Sequence, residues 1–241
     1  HTRPDSTAAP AASWQTNEGL ATDAQGHVVV YERWGAVDPA RLLEHNSGEW
    51  HGLFIRLDHA GVEQTRFNTV LRVHDEADQV VAALTDCSTG QTRTMRFGEL
   101  PAAMQVDPAG HWSLGPDPFT PWNWNYELCL TVGQQRRRLI VRGNSGGLHS
   151  LVMVQEARAG IPLEEPETPL RCSIESHGDR HCWSLQPDLQ MLLDGRNCSL
   201  QWQQTNGTWL AIKRHYGADG ALLALPSAAA AGAAHPAEWQ N

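Results

Sequence analysis

The stretch Asn46-Ser47-Gly48-Glu49-Trp50-His51-Gly52-Leu53-Phe54-Ile55-Arg56-Leu57-Asp58 decides the fold. From Gly48 it alternates: Leu53, Ile55 and Leu57 fall on one face of an extended chain, and Trp50, Phe54 and Arg56 on the other. Before it, Asp38 to His45 reads as a short helix, with Asp38 as cap and Pro39 at the first helical position. Gly48 lets the backbone turn tightly into the strand, and Trp50 is large enough to plug the end of a closed sheet. Gly48 and Trp50 are therefore read as structural residues.

Strands recur after this start at short intervals. The first turns at Ala60-Gly61, and Val62 to His74 follows. Asp75-Glu76-Ala77-Asp78 turns into Gln79 to Leu84, and Ser88-Thr89-Gly90 turns into Gln91 to Phe97. Met104 to Val106 and His111 to Leu114 form a hairpin around Pro108-Ala109-Gly110. Trp122 to Leu130, Arg136 to Arg142 and Leu148 to Ala157 complete a set of eight or nine strands. The economical arrangement is an up-and-down antiparallel β-barrel, because closure leaves no unpaired edge. Residues 161–170, rich in Glu and Pro, read as an extended linker. A second β segment, 171–226, has hairpin turns at Asn206-Gly207 and Asp219-Gly220 and predicts a small sheet or partial barrel packed on the first domain. The expected organisation is thus an all-β chain. Residues 1–36 are mostly irregular or disordered apart from a strand at Val28–Tyr31. The barrel is 37–160, the linker 161–170, the small β domain 171–226 and a disordered tail 227–241.

A length of 241 residues is enough for a sizeable core. A net charge of −9 argues against a dedicated nucleic-acid surface. No apolar run approaches the ~20 residues that a membrane-spanning helix needs, so no transmembrane segment is expected. No secretory signal is legible. Five irregularly spaced cysteines favour a reducing compartment, and with it a cytoplasmic location.

The order of parts resembles a known family. Asn46 to Arg56, then Tyr126-Glu127-Leu128-Cys129-Leu130, the basic strand Arg136-Arg137-Arg138-Leu139-Ile140-Val141 and the run Leu151 to Gly160 are similar to a lipocalin-like domain family of unknown function in cyanobacteria and plastids. The similarity covers roughly residues 38 to 160. It implies two calycin-like barrels and, from the family's plant member (a biogenesis factor for the chloroplast ATP synthase), a role in assembling a photosynthetic complex. It implies no catalytic residue.

The residues themselves offer little chemistry. His177-x3-His181 near Cys172 and Cys182 contains zinc-type ligands but flanks a Gly178-Asp179 turn, and no metal site is expected. Ser145 sits in a turn between strands, not at a strand-to-helix elbow. Cys87 and Cys129 fall on expected strands, where buried, inert thiols are usual. Ligand binding is the stronger option. Arg72, Arg93, Arg138 and Arg142 on strands, with Tyr126 on a neighbouring one, could hold the acid group of a ligand inside a hollow barrel. They could equally face solvent, with one of them covering Trp50. Alternation sends Arg137 to the face opposite Arg136 and Arg138, and a solvated edge is the plain reading of that triplet. The loop Phe119-Thr120-Pro121-Trp122-Asn123-Trp124 offers three aromatics to a protein partner.

These readings predict a non-enzymatic binding or assembly factor without catalytic residues, metal or cofactor. Its partner would be a subunit of a photosynthetic complex or a small apolar ligand, lipid or bilin. The alternatives are a bilin chromophore lyase-like protein, with Glu49, Glu127 or Asp86 as its acid, and a fatty-acid or lipid carrier.

Overall fold

The computed structural model of the chain describes residues 19–22, 28–31, 39–98, 100 and 103–225. Asp38, the expected helix cap, most of residues 1–36 and the tail 227–241 lie outside these. The described residues are nearly all β. A hairpin of β1 (Gly19–Thr22) and β2 (Val28–Tyr31) comes first, then the short helix α1 (Pro39–Asn46). Nine strands follow: β3 (Gly48–Asp58), β4 (Glu63–Glu76), β5 (Gln79–Asp86), β6 (Thr92–Phe97), β7 (Gln105–Val106), β8 (Trp112–Leu114), β9 (Asn123–Val132), β10 (Gln135–Asn144) and β11 (Gly147–Arg158). They form one antiparallel sheet in the order β6-β5-β4-β3-β11-β10-β9-β8-β7.

The chain's first and last strands in this sheet, β3 and β11, pair from Ser150↔Asp58 to Arg158↔Trp50. That pairing is the one that closes an up-and-down barrel. The seam between β6 and β7 stays open, because β7 and β8 are only 2 and 3 residues long and give that wing too little backbone to zip. The sheet still curls. Leu71, Val73, Val80 and Ala82 from one wing meet Val106, Trp112 and Cys129 from the other around Trp50. Side chains from strands so far apart in the sheet can touch only if the face carrying Trp50 is concave. Leu42 of α1 joins that cluster and plugs the end.

One turn differs from expectation. Asp75 and Glu76 belong to β4, and the reversal is made by Ala77 and Asp78 alone, both at positive φ (51° and 60°). A two-residue hairpin with both central residues left-handed has the twist that matches its strands, and here it forms without glycine.

The second sheet is a meander of β12 (Ser173–His177), β13 (Arg180–Gln186), β14 (Leu189–Asp194), β15 (Asn197–Gln203) and β16 (Trp209–Arg214). It packs on the convex face of the first. Leu53, Ile55, Leu57 and Leu128 share one continuous core with Trp183, Leu185, Met191 and Leu200. Polar ties reinforce the joint. The buried guanidinium of Arg214 donates from Nε to the Tyr216 hydroxyl at 2.6 Å, and from Nη2 to the carbonyls of Gly115 (2.8 Å) and Pro116 (3.0 Å).

The segment between the sheets is also held. Arg66 donates to the carbonyls of Pro166 (2.7 Å) and Thr168 (3.1 Å), and Glu63 pairs with Arg66 while accepting from the Leu170 amide. A protease nick within 161–170 is therefore expected to leave both halves bound. Size-exclusion chromatography of the nicked protein should show one species at the intact elution volume. A free N-terminal fragment would contradict the shared core.

Candidate functional site

Register places each polar residue on one face or the other. On β3 the concave set is Trp50, Gly52, Phe54 and Arg56. Opposite them stand Leu71, Thr69, Phe67 and Thr65 on β4, and Arg158, Glu156, Val154 and Val152 on β11. The set continues through Arg136, Arg138, Ile140 and Arg142 on β10 to Thr131, Cys129, Glu127 and Asn125 on β9.

At the closed end, Trp50 is fully buried and donates from Nε1 to the Asn46 carbonyl at 2.9 Å. Gly48, at φ 108°, turns the chain from α1 into the strand that carries it, a backbone shape that glycine adopts without strain. Two guanidiniums lie over the Trp50 ring, Arg158 at 3.8 Å and Arg136 at 4.3 Å from its centroid. The cover that sequence reasoning looked for thus comes from Arg136 and Arg158, which it had not assigned to that task. Arg158 also donates to the carbonyls of Ser47 and His45. Asn46 binds this end together: its Oδ1 accepts from Trp112 Nε1, Thr131 Oγ1 and Arg136 Nη1 at 3.2–3.3 Å.

Next along the strands comes a buried ion-pair network. Glu156 is fully buried; its Oε2 accepts from Arg136 Nε at 2.6 Å and Arg138 Nε at 2.9 Å, and its Oε1 from Arg138 Nη2 at 2.9 Å. Arg138 Nη1 reaches Glu127 at 2.5 Å. Burial would raise the Glu156 pKa, but the charges of Arg136 and Arg138 outweigh it and hold the carboxyl at about 2. Gly52 makes room for this packing. A Cβ there would sit 2.8 Å from Thr69 Oγ1 and 2.9 Å from Glu156 Cγ. Arg136-Arg137-Arg138 is therefore no solvated edge. Arg136 and Arg138 are buried in the network, and Arg137, on the convex face, stacks over Trp202 at 4.6 Å.

At the open end the concave face turns apolar. Phe54, Val152 and Val154 form a cluster of their own, against which Phe67, Leu84 and Ile140 pack. Phe54 and Phe67 stack at 5.3 Å. Arg56 and Arg142 are exposed on this face, and Arg93 and Met95 carry it onto β6.

The five residues expected to bind a ligand thus separate. Arg93, Arg138 and Arg142 share the concave face, but Arg138 is already paired twice. Arg72 lies on the other face, exposed and ion-paired to Glu49 at 2.8 Å. Tyr126 lies there too, buried under the second sheet, where its hydroxyl donates to the Arg196 carbonyl and burial pushes its phenol pKa up. Strand parity separates them: on paired strands, Tyr126 occupies the face of Val141 and Gly143 rather than that of Arg142. Arg56, on the concave face two residues from Phe54, was not among the five.

The three loop aromatics also separate. Trp122 is 72% exposed, Trp124 only 6%, and Phe119 packs against the shared core. Trp124 stacks on Tyr126 at 5.1 Å, because β9 begins at Asn123 and the pleat turns Trp124 to the convex face. Trp122, one residue before the strand begins, is left out.

Of the expected acids, Glu127 and Asp86 lie half-buried on the concave face. Glu49 is on the other, with His51 and Arg72, and Asp86 Oδ1 accepts from Ser88 and Thr89 in its own turn. Cys129 is buried, and burial pushes its thiol up to about 11. Cys87, expected on a strand, is instead exposed just past the end of β5. Ser145 lies in the two-residue turn between β10 and β11. His181 Nδ1 hydrogen-bonds the Ser176 hydroxyl, and among the described residues no three His, Cys, Asp or Glu side chains group as metal ligands do. No helix among those residues is long and apolar enough to cross a membrane.

No family model and no curated protein matches the chain. A solved structure does. A protein of unknown function from the DUF3598 family of Nostoc punctiforme aligns over 76% of this chain and 94% of its own, with a TM-score of 0.59 and 16% identity. At that identity the likeness shows the fold, and it fits the cyanobacterial family of unknown function that the sequence resembles.

Proposed function

We propose that the protein is a non-enzymatic binding protein that holds a small, largely apolar molecule on the concave face of its first sheet. One observation carries this. Phe54, Phe67, Ile140, Val152 and Val154, from four strands, make an apolar lining that belongs to neither of the two main cores, and Leu84 of a fifth strand joins it to the core around Trp50. Small barrels either fill with side chains or hold one ligand. Here the closed end is filled around Trp50, whereas the open end is edged by the exposed polar residues Arg56, Asn125 and Arg142.

The test is Ile140→Trp. The larger ring should occupy the lining, so the variant should keep its fold by circular dichroism and lose the small molecule that native mass spectrometry finds on the parent protein. Undiminished retention would move the site elsewhere. The assembly reading keeps one supporting observation, the exposed ring of Trp122 beside Pro121. Trp122→Ala should then abolish capture of a host protein and leave small-molecule retention intact.

A further inference from the structure

We propose that the occupant is an amphipathic anion, its acid group taken at the open end by Arg56 and Arg142 and its apolar part lying inward over Ile140, Val152 and Phe54. The inference rests on the binding reading above and names its ligand class.

Among the described residues six guanidiniums belong to the concave face: Arg56, Arg93, Arg136, Arg138, Arg142 and Arg158, the last held over Trp50 by the carbonyls of His45 and Ser47. Their partners decide which of them can take a ligand's charge. Arg136 and Arg138 are neutralised by Glu156 and Glu127. Arg56, Arg93 and Arg142 have no hydrogen bond or ion pair among the described residues, and none is named among those with further contacts. The acids near them are committed. Glu127 is held by Arg138 and Glu63 by Arg66, and Asp86, on the concave face of β5, accepts from Ser88 and Thr89. Asp58 accepts from the Ala60 and Val62 amides and from Gln64. The cross-strand neighbours of Arg56 are Val152 and Thr65, and those of Arg142 are Ser150 and Asn125, none of them acidic. In a chain with 27 acidic and 18 basic residues, guanidiniums left unpaired beside an apolar lining are unusual.

The layout sets the ligand's orientation. Arg56, Val152 and Ile140 lie in one row across β3, β11 and β10, and Arg142 is two residues from Ile140 on the same face. Two strand spacings across and two residues along, the backbone positions of Arg56 and Arg142 stand about 12 Å apart, with apolar side chains on the same face inward of them. A planar guanidinium takes a carboxylate or phosphate through paired N–H donors, which gives direction as well as attraction. Inward, the lining ends at the row of Gly52 and Glu156, four residues from Arg56 and about 13 Å along the strand. There the charges are already balanced, so a second acid group gains nothing.

The test compares decanoate, decyl phosphate and decanol by isothermal titration calorimetry on the parent chain, on Arg56→Gln/Arg142→Gln and on Ile140→Trp. Both guanidiniums are exposed and unpartnered, so the double variant should fold, and circular dichroism checks it. The account expects one or both acids to bind at least about tenfold more tightly than decanol. In the double variant that ratio should fall to near one. Raising the salt should weaken the acids and spare decanol. Equal binding of decanol and both acids, or an unchanged ratio in the double variant, would overturn the anion assignment and leave the apolar site standing. Binding of none of the three, or equal binding by Ile140→Trp, would overturn the site itself.

Discussion

Glu156→Leu is expected to lower the unfolding free energy by about 3–5 kcal/mol, because it leaves Arg136 and Arg138 buried without their shared carboxylate. Leucine fills much of the same volume, so the loss is electrostatic rather than a cavity. Urea denaturation by linear extrapolation measures it. A loss below about 1 kcal/mol would mean that the network stabilises little and that the two guanidiniums find other acceptors. The same group sets a pH dependence. Its folded pKa of about 2 lies below the ordinary 4.5, so its stabilisation is complete above pH 4.5 and is lost as the pH falls from there through about 2. Glu156→Leu should therefore flatten the acid limb of the stability curve. Glu49→Gln should not, since Glu49 pairs with Arg72 and His51 in exposed positions where screening is strong.

Trp50→Ala should cost a similar ~3–5 kcal/mol, the range for a large buried aromatic. Three losses coincide at this position: the packing of the closed end against Leu71 and Leu42, the Nε1 hydrogen bond to Asn46, and the π face on which Arg136 and Arg158 rest. Trp50→Phe keeps the apolar body and most of the π face, and should cost less. Equal costs for the two variants would show that the hydrogen bond, not the packing, carries the effect.

Much of the fold was legible in the chain. Alternation from Gly48 to Asp58 has one consequence for each face, and both faces are occupied as it implies: Leu53, Ile55 and Leu57 in the shared core, and Trp50 and Phe54 in the concave interior. Glycine-bearing turns such as Asn144 to Gly147 marked strand ends. The Ala77-Asp78 turn carried no such mark, because its left-handed residues are not glycines. The open seam was not legible either. It depends on how much of 103–114 pairs, and the bridges of β7 and β8 are set by neighbours rather than by their own residues.

The candidate site was legible only in part. Arg93, Arg138 and Arg142 stand on the concave face, but strand membership alone does not separate free guanidiniums from committed ones. That distinction needed Glu156, a residue twenty positions from Arg136 whose charge sequence reasoning had not placed. The Pro121–Trp124 loop shows the same limit. Two tryptophans two residues apart look equivalent, yet β9 begins between them and buries one.

Native mass spectrometry of the protein purified from its own host, with Ile140→Trp alongside, tests the central claim most directly. The account predicts one small amphipathic acid bound to the parent chain in a 1:1 ratio and absent from the variant. A parent chain that carries no small molecule, or a variant that carries the same one, would contradict it.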